Sequence, residues 1–101
     1  MKHPCVYILA SQRNGTLHIG VTGQIAERIA AHRTGKASKF TAKYGVARLV
    51  WYEFHQDFSS AIAREKRLKA WKRAWKINLI EENNPDWDDL FETIQMWAPL
   101  N

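Results

Sequence analysis

Val6-Tyr7-Ile8-Leu9 and Leu17-His18-Ile19-Gly20 are two β-rich runs eleven positions apart, with Asn14-Gly15 between them. Asn-Gly flanked by apolar runs is a strong hairpin signal. Cys5 to Ala10 therefore reads as a buried strand and Thr16 to Val21 as its returning partner. Beyond the hairpin, Thr22 is placed to cap a helix from about Gln24 to Thr34, with Gly35 as its stop. Residues 36 to 46 read as a polar, basic loop in which Phe40 and Tyr44 alternate with Lys36, Lys39 and Lys43. Arg48 to Phe54 is a third strand. A helix starting after Asp57 or Ser59 runs towards Trp71, and a second follows a bend, over about Arg73 to Glu82.

Asn84-Pro85-Asp86-Trp87-Asp88-Asp89 has the form of a helix start. Asn84 caps, Pro85 takes the first helical position, and the acids face the positive end of the dipole. The order β-β-α-β-α-α-α gives a small α+β domain, a three-stranded sheet flanked by helices. Residues 1–83 form its body and residues 84–101 an acidic helical extension of the same domain.

The chain has 101 residues, 46% hydrophobic and 25% charged, which is the size and balance of one globular domain. No apolar run approaches the ~18 residues of a membrane span, and the N-terminal residues lack a secretory apolar region. The single cysteine, Cys5, excludes an internal disulfide and a thiolate zinc cluster, so a reducing cytoplasm is expected. Residues 1 to 83 carry all 15 Lys and Arg against six acids, a net +9, whereas residues 84 to 101 carry four acids and no base. A body of that charge favours a polyanionic partner, most simply nucleic acid. The acidic extension is compatible with docking on the basic body of its own chain or, in a homodimer, on a neighbouring chain.

At 100° per residue, with Ile25 as zero, Ile29 falls at about +40°, His32 at about −20° and Arg28 at about −60°. Arg28 and His32 thus share the edge of the stripe that meets the sheet. A guanidinium and an imidazole at i and i+4 can hold a phosphate; the alternative is an amphipathic helix whose Arg28 reaches back to solvent. In the later helix, with Ile62 as zero, Glu65 falls at about −60° among Ala61 and Leu68. A carboxylate there requires compensation: Lys69 at i+4, a buried donor, or a bound metal ion. Tyr7 and His18 taken singly read as packing residues of a strand. Trp51, Trp71 and Trp75 read as core or interhelical packing, and Phe40 as either a loop anchor or a ring beside the lysines.

Taken together, Val6-Tyr7-Ile8, Asn14-Gly15, His18-Ile19-Gly20, Arg28, His32 and Ala63-Arg64-Glu65-Lys66-Arg67 resemble the GIY-YIG nuclease superfamily, in its small single-domain UPF0213 branch. The resemblance runs from about Cys5 to Asn83. It implies a three-stranded antiparallel sheet with flanking helices, and a metal-dependent endonuclease that hydrolyses phosphodiester bonds of DNA, single- or double-stranded, in repair, recombination or processing. It further implies that Tyr7 orients or deprotonates the attacking water, Arg28 stabilises charge on the phosphate, and His32 relays a proton or touches phosphate. Glu65 would hold one Mg²⁺ or Mn²⁺. Lys36, Lys39, Lys43, Tyr44 and Arg64 are the candidate nucleic-acid contacts. Val6 replaces the first motif glycine and His18 the second tyrosine. An imidazole near pKa ~6.5 is the better base at neutral pH than a phenol near ~10. If its shorter reach misses the water, the chain is instead a nucleic-acid-binding module with weak or lost catalysis.

Overall fold

The computed structural model describes residues 2–34 and 39–97. Gly35 and Lys36, the expected helix stop and the first of the loop lysines, lie outside them. Three strands, β1 (Cys5–Ala10), β2 (Leu17–Thr22) and β3 (Arg48–Phe54), form one antiparallel sheet in the order β2-β1-β3. Five helices follow: α1 (Ile25–Arg33), α2 (Lys39–Tyr44), α3 (Phe58–Ala70), α4 (Arg73–Asn83) and α5 (Phe91–Trp97). This is the expected α+β sheet with flanking helices, plus a helix, α2, where a loop was expected. Within α2, Lys39/Lys43 and Phe40/Tyr44 stand one turn apart, so each pair shares a helical face. Gly45, at φ 63°, closes the helix in the left-handed conformation that glycine adopts without strain.

The apolar run of β1 carries side chains to both faces of the sheet. All six of its residues are buried. Val6, Ile8 and Ala10 face Ala61 and Leu68 of α3, Ile80 of α4, and Trp87. Cys5, Tyr7 and Leu9 face Ile25, Ala26 and Ile29 of α1 and Ile94 of α5. Burial pushes the Cys5 thiol up to about 12, so it packs as a small apolar group.

The C-terminal segment departs from its expected geometry. Asn84 does not begin a helix; it is the C-cap of α4, and α5 starts only at Phe91. Asn, Pro and Asp serve turns as well as helix starts, and here the tertiary partners select the turn. A bulge in β3 leaves Val50 opposite no residue of β1, and Asn84 Nδ2 donates to its carbonyl at 3.1 Å. The same side chain donates to the Asp88 carbonyl at 2.9 Å and accepts from the Asp88 N–H at 2.9 Å. Trp87, wholly buried at φ 57°, donates from Nε1 to Glu81 at 2.7 Å. The chain then crosses the β3 edge: Leu90 N–H donates to the Leu49 carbonyl at 2.8 Å, and the Leu49 N–H to Asp89 at 3.3 Å. Residues 84 to 94 are thus a strap anchored in both cores.

Asn84→Ala is expected to lower unfolding free energy by about 1–3 kcal/mol, because it strands a buried bulge carbonyl. Urea titration should show a lower midpoint at an unchanged slope.

Candidate active site

The register pairs Tyr7 with Gly20 and Leu9 with His18, on the face of the sheet covered by α1. A Cβ built on Gly20 would stand 2.4 Å from the Tyr7 hydroxyl oxygen and 2.6 Å from Cζ. The Tyr7 ring therefore lies across β2 at the one position with no side chain. There its hydroxyl meets His32 Nε2 at 3.2 Å. The phenol donates when Nδ1 carries the imidazole proton and accepts when Nε2 carries it.

His18 fills the space beside this pair. Its ring centroid is 5.1 Å from that of His32 and 6.2 Å from that of Tyr7. On the outward side it meets Phe40 of α2 at 6.3 Å, and Phe40 meets Tyr44 at 4.9 Å. Phe40 and Tyr44 are 45% and 48% exposed, so Phe40 is no core anchor. A file of rings thus leads from buried Tyr7 to the surface. The loop reading of residues 36 to 46 hid this file; the i, i+4 spacing of Phe40 and Tyr44 was its signal.

The charged members stand around the rings. Arg28 is exposed on α1, one turn before buried His32, as the helical angles require. A shallow pocket of about 220 Å³ opens beside it, lined by Thr22, Gln24, Glu27, Arg28 and Ala31. Glu65 comes from α3, its side chain only 16% exposed, and Lys69 pairs with it at 3.3 Å. Ile62 is itself exposed, so the buried stripe of α3 centres on Ala61 and Leu68, and Glu65 stands at its edge rather than inside it. Lys39 and Lys43 are exposed on α2. Arg64 is half-buried: its Nε donates to Glu53 at 3.1 Å, and its guanidinium lies 5.8 Å from the Trp51 ring and 5.5 Å from the Trp71 ring.

Burial and these neighbours keep the ring groups neutral. Tyr7 is pushed up to about 12, first by burial; the Glu65 charge adds to the rise and the Arg28 charge opposes it. His32 is pushed down to about 4 by burial, and then by His18 and Arg28. His18 is lowered by burial and by the Lys69 and Arg28 charges, against the opposing pull of Glu65. The residues singled out in the sequence thus act on one another electrostatically across four elements, β1, β2, α1 and α3.

At neutral pH the cluster offers two neutral imidazoles, a neutral phenol, one carboxylate and two cations. Among the described residues no three His, Cys, Asp or Glu side chains converge as a metal cage. A single carboxylate suits a hard, largely hydrated divalent cation that takes its other ligands from water and phosphate.

The family model for the GIY-YIG catalytic domain matches residues 3–78. A UPF0213 protein of Staphylococcus haemolyticus is 36% identical over 77 residues, covering 76% of this chain and 93% of that protein. A UPF0213 protein of Clostridium perfringens is 34% identical over 79 residues, 78% of this chain and 84% of that one. The solution NMR structure of the UPF0213 protein BH0048 from Bacillus halodurans superposes with a TM-score of 0.54 at 28% identity, covering 96% of this chain and 98% of that one.

The depressed imidazoles make stability pH-dependent with a defined sign. In the unfolded chain a histidine titrates near ~6.5. Folded His32 titrates at about 4, and His18 below its ordinary value. Between these values the unfolded chain holds protons that the native one lacks, so stability falls as pH drops from about 6.5 and this contribution levels off below 4. Urea midpoints across that window should show the slope, and His32→Gln should reduce it.

Proposed function

The chain belongs to the GIY-YIG family, a nuclease superfamily, and from that premise we propose that it is a divalent-metal-dependent DNA endonuclease. The observation that carries the reading is the convergence of Tyr7, His18 and His32, with ring centroids 5.1 to 6.2 Å apart, within the fields of Arg28 and Glu65. Buried neutral bases beside a carboxylate and cations supply what water attack on a phosphodiester requires.

His18 accepts the proton of the attacking water. Its lowered pKa leaves it in the free-base form at neutral pH. Tyr7, with its pKa near 12, stays protonated and orients the water or the phosphate through its hydroxyl. His32 fixes that hydroxyl and provides a second station for a proton. Arg28, exposed at the rim, receives the phosphate and stabilises the charge that grows on its oxygens. The water oxygen bonds to phosphorus as the bond to the 3′-oxygen breaks. Glu65 would hold a Mg²⁺ or Mn²⁺ ion, which would supply polarisation of the phosphate and stabilisation of the leaving oxygen. Lys69 already rests on this carboxylate, so the position selects positive charge. Lys39, Lys43 and the Phe40–Tyr44 rings extend the contact with the strand. Repair, recombination or processing of DNA is the setting such an activity serves.

The test is cleavage of single-stranded and duplex DNA in Mg²⁺, Mn²⁺ or chelator, with wild type, Glu65→Ala and His18→Tyr. Glu65→Ala should reduce the rate by two or more orders of magnitude; undiminished cutting would remove the metal-ligand role. An inert wild type that binds DNA, beside an active His18→Tyr, would mark the chain as a binding module instead. The rate should rise with pH through an apparent pKa below ~6.5, and His18→Tyr should move that limb to higher pH.

Gly20→Ala should lower the rate at least tenfold while the chain still folds, because the new methyl displaces the Tyr7 hydroxyl. Circular dichroism and the cleavage assay separate the two effects.

A further inference from the structure

Among the described residues Trp75 is the most exposed of the large apolar side chains, at 51%, and nothing in the roles assigned above employs it. It stands at the corner where α3 passes into α4. Its ring meets that of Trp71 edge-on, with centroids 6.1 Å apart and planes at 83°. Trp71 is in turn held against the Arg64 guanidinium, which Glu53 fixes. Lys72 lies 5.7 Å from the centre of the Trp75 ring. Lys76 donates to the Lys69 carbonyl at 3.4 Å, and the Lys69 ammonium rests on Glu65. An exposed indole braced by Trp71 and flanked by lysines thus stands next to Lys76, which reaches the backbone of the lysine paired with Glu65.

We propose that this corner, Trp75 with Lys72 and Lys76, is a stacking subsite for an unpaired base on one flank of the strand being cut. The inference rests on the nucleic-acid reading of the site and adds to it a requirement for single-stranded character beside the cut. A ring already held in place loses little freedom when a base stacks on it, and every base has a face to offer. Lysines at its edge meet the phosphates to either side. Residues 66 to 80 contain six Lys and Arg and no acid, which complements a polyanion. A second copy of the chain laid symmetrically on the corner would bring these like charges together, which disfavours self-association there. Arg73 is excluded from the subsite because it holds the β1–β2 turn, donating to the Asn14 carbonyl at 2.8 Å and the Gly15 carbonyl at 2.6 Å.

The experiment uses the Glu65→Ala chain, so that the probe survives, and measures anisotropy of a labelled oligothymidylate and of a duplex of equal length. Adding Trp75→Ala should weaken single-strand binding about 5- to 100-fold, with Trp75→Phe retaining part of the affinity and the duplex little changed. Lys72→Gln with Lys76→Gln should lower the slope of log affinity against log salt by about 1.4 for two single-strand phosphate contacts. Equal oligothymidylate affinity with and without Trp75 would overturn the subsite while leaving the nuclease reading intact. A parent that binds neither probe would overturn both. A wild-type dimer in sedimentation that Trp75→Ala converts to monomer would overturn the subsite by assigning the ring to a second copy.

Discussion

Every residue of β1 is buried, and this constraint shapes the rest of the molecule. A strand buried on both faces needs two covers, and 101 residues must supply both. α3, α4 and Trp87 form one; α1 and α5 form the other. The strap from Asn84 to Ile94 joins them across the β3 edge, where Leu49 exchanges hydrogen bonds with Leu90 and Asp89. It also meets the end of α1, where Arg33 pairs with Asp89 and lies 4.6 Å over the Phe91 ring. The helix that carries His32 is therefore held from both sides.

The same constraint creates the chemistry. Tyr7 is a polar residue in the most buried strand, and its hydroxyl needs a partner. Gly20 gives the ring room to cross β2, and His32 receives the hydroxyl. Burial then moves both groups towards their neutral forms in opposite directions, the phenol up and the imidazoles down. Charge stands at the rim, on exposed Arg28 and Lys69, and on the largely covered Glu65, which the Lys69 ammonium compensates. On the proposed reading, neutral rings inside and charges outside would suit a phosphate held at the surface while its attacking water is activated beneath.

β1 and β3 were legible to the residue because β1 is an unbroken apolar run and β3 is built on the β-formers Leu49-Val50-Trp51-Tyr52. The placement of Arg28 and His32 on one edge of α1 was legible because helical periodicity sets them one turn apart. α2 was not, because six residues rich in lysine give little propensity signal, and its i, i+4 rings read equally as loop aromatics. Asn84 misled because its capping chemistry serves a bulge carbonyl as well as a helix end. Trp75, read as core or interhelical packing, does meet Trp71 between α3 and α4, but it is 51% exposed, which its residue type alone did not signal.

His18 brings these threads together. Rings flank it on three sides, Tyr7, His32 and Phe40. A tyrosine in this slot, near its ordinary pKa of ~10, would need deprotonation before it could act as a base. The imidazole is already the free base at neutral pH, but the burial that makes it so also weakens its pull on a proton. Population and driving force therefore trade against each other, and a base below ~6.5 works best when the water it faces is made more acidic. Under the proposed mechanism that burden would fall on Glu65, whose carboxylate already holds the Lys69 ammonium. His18 and Glu65 would then act as one device: a less basic imidazole would depend more on the ion that the carboxylate would hold.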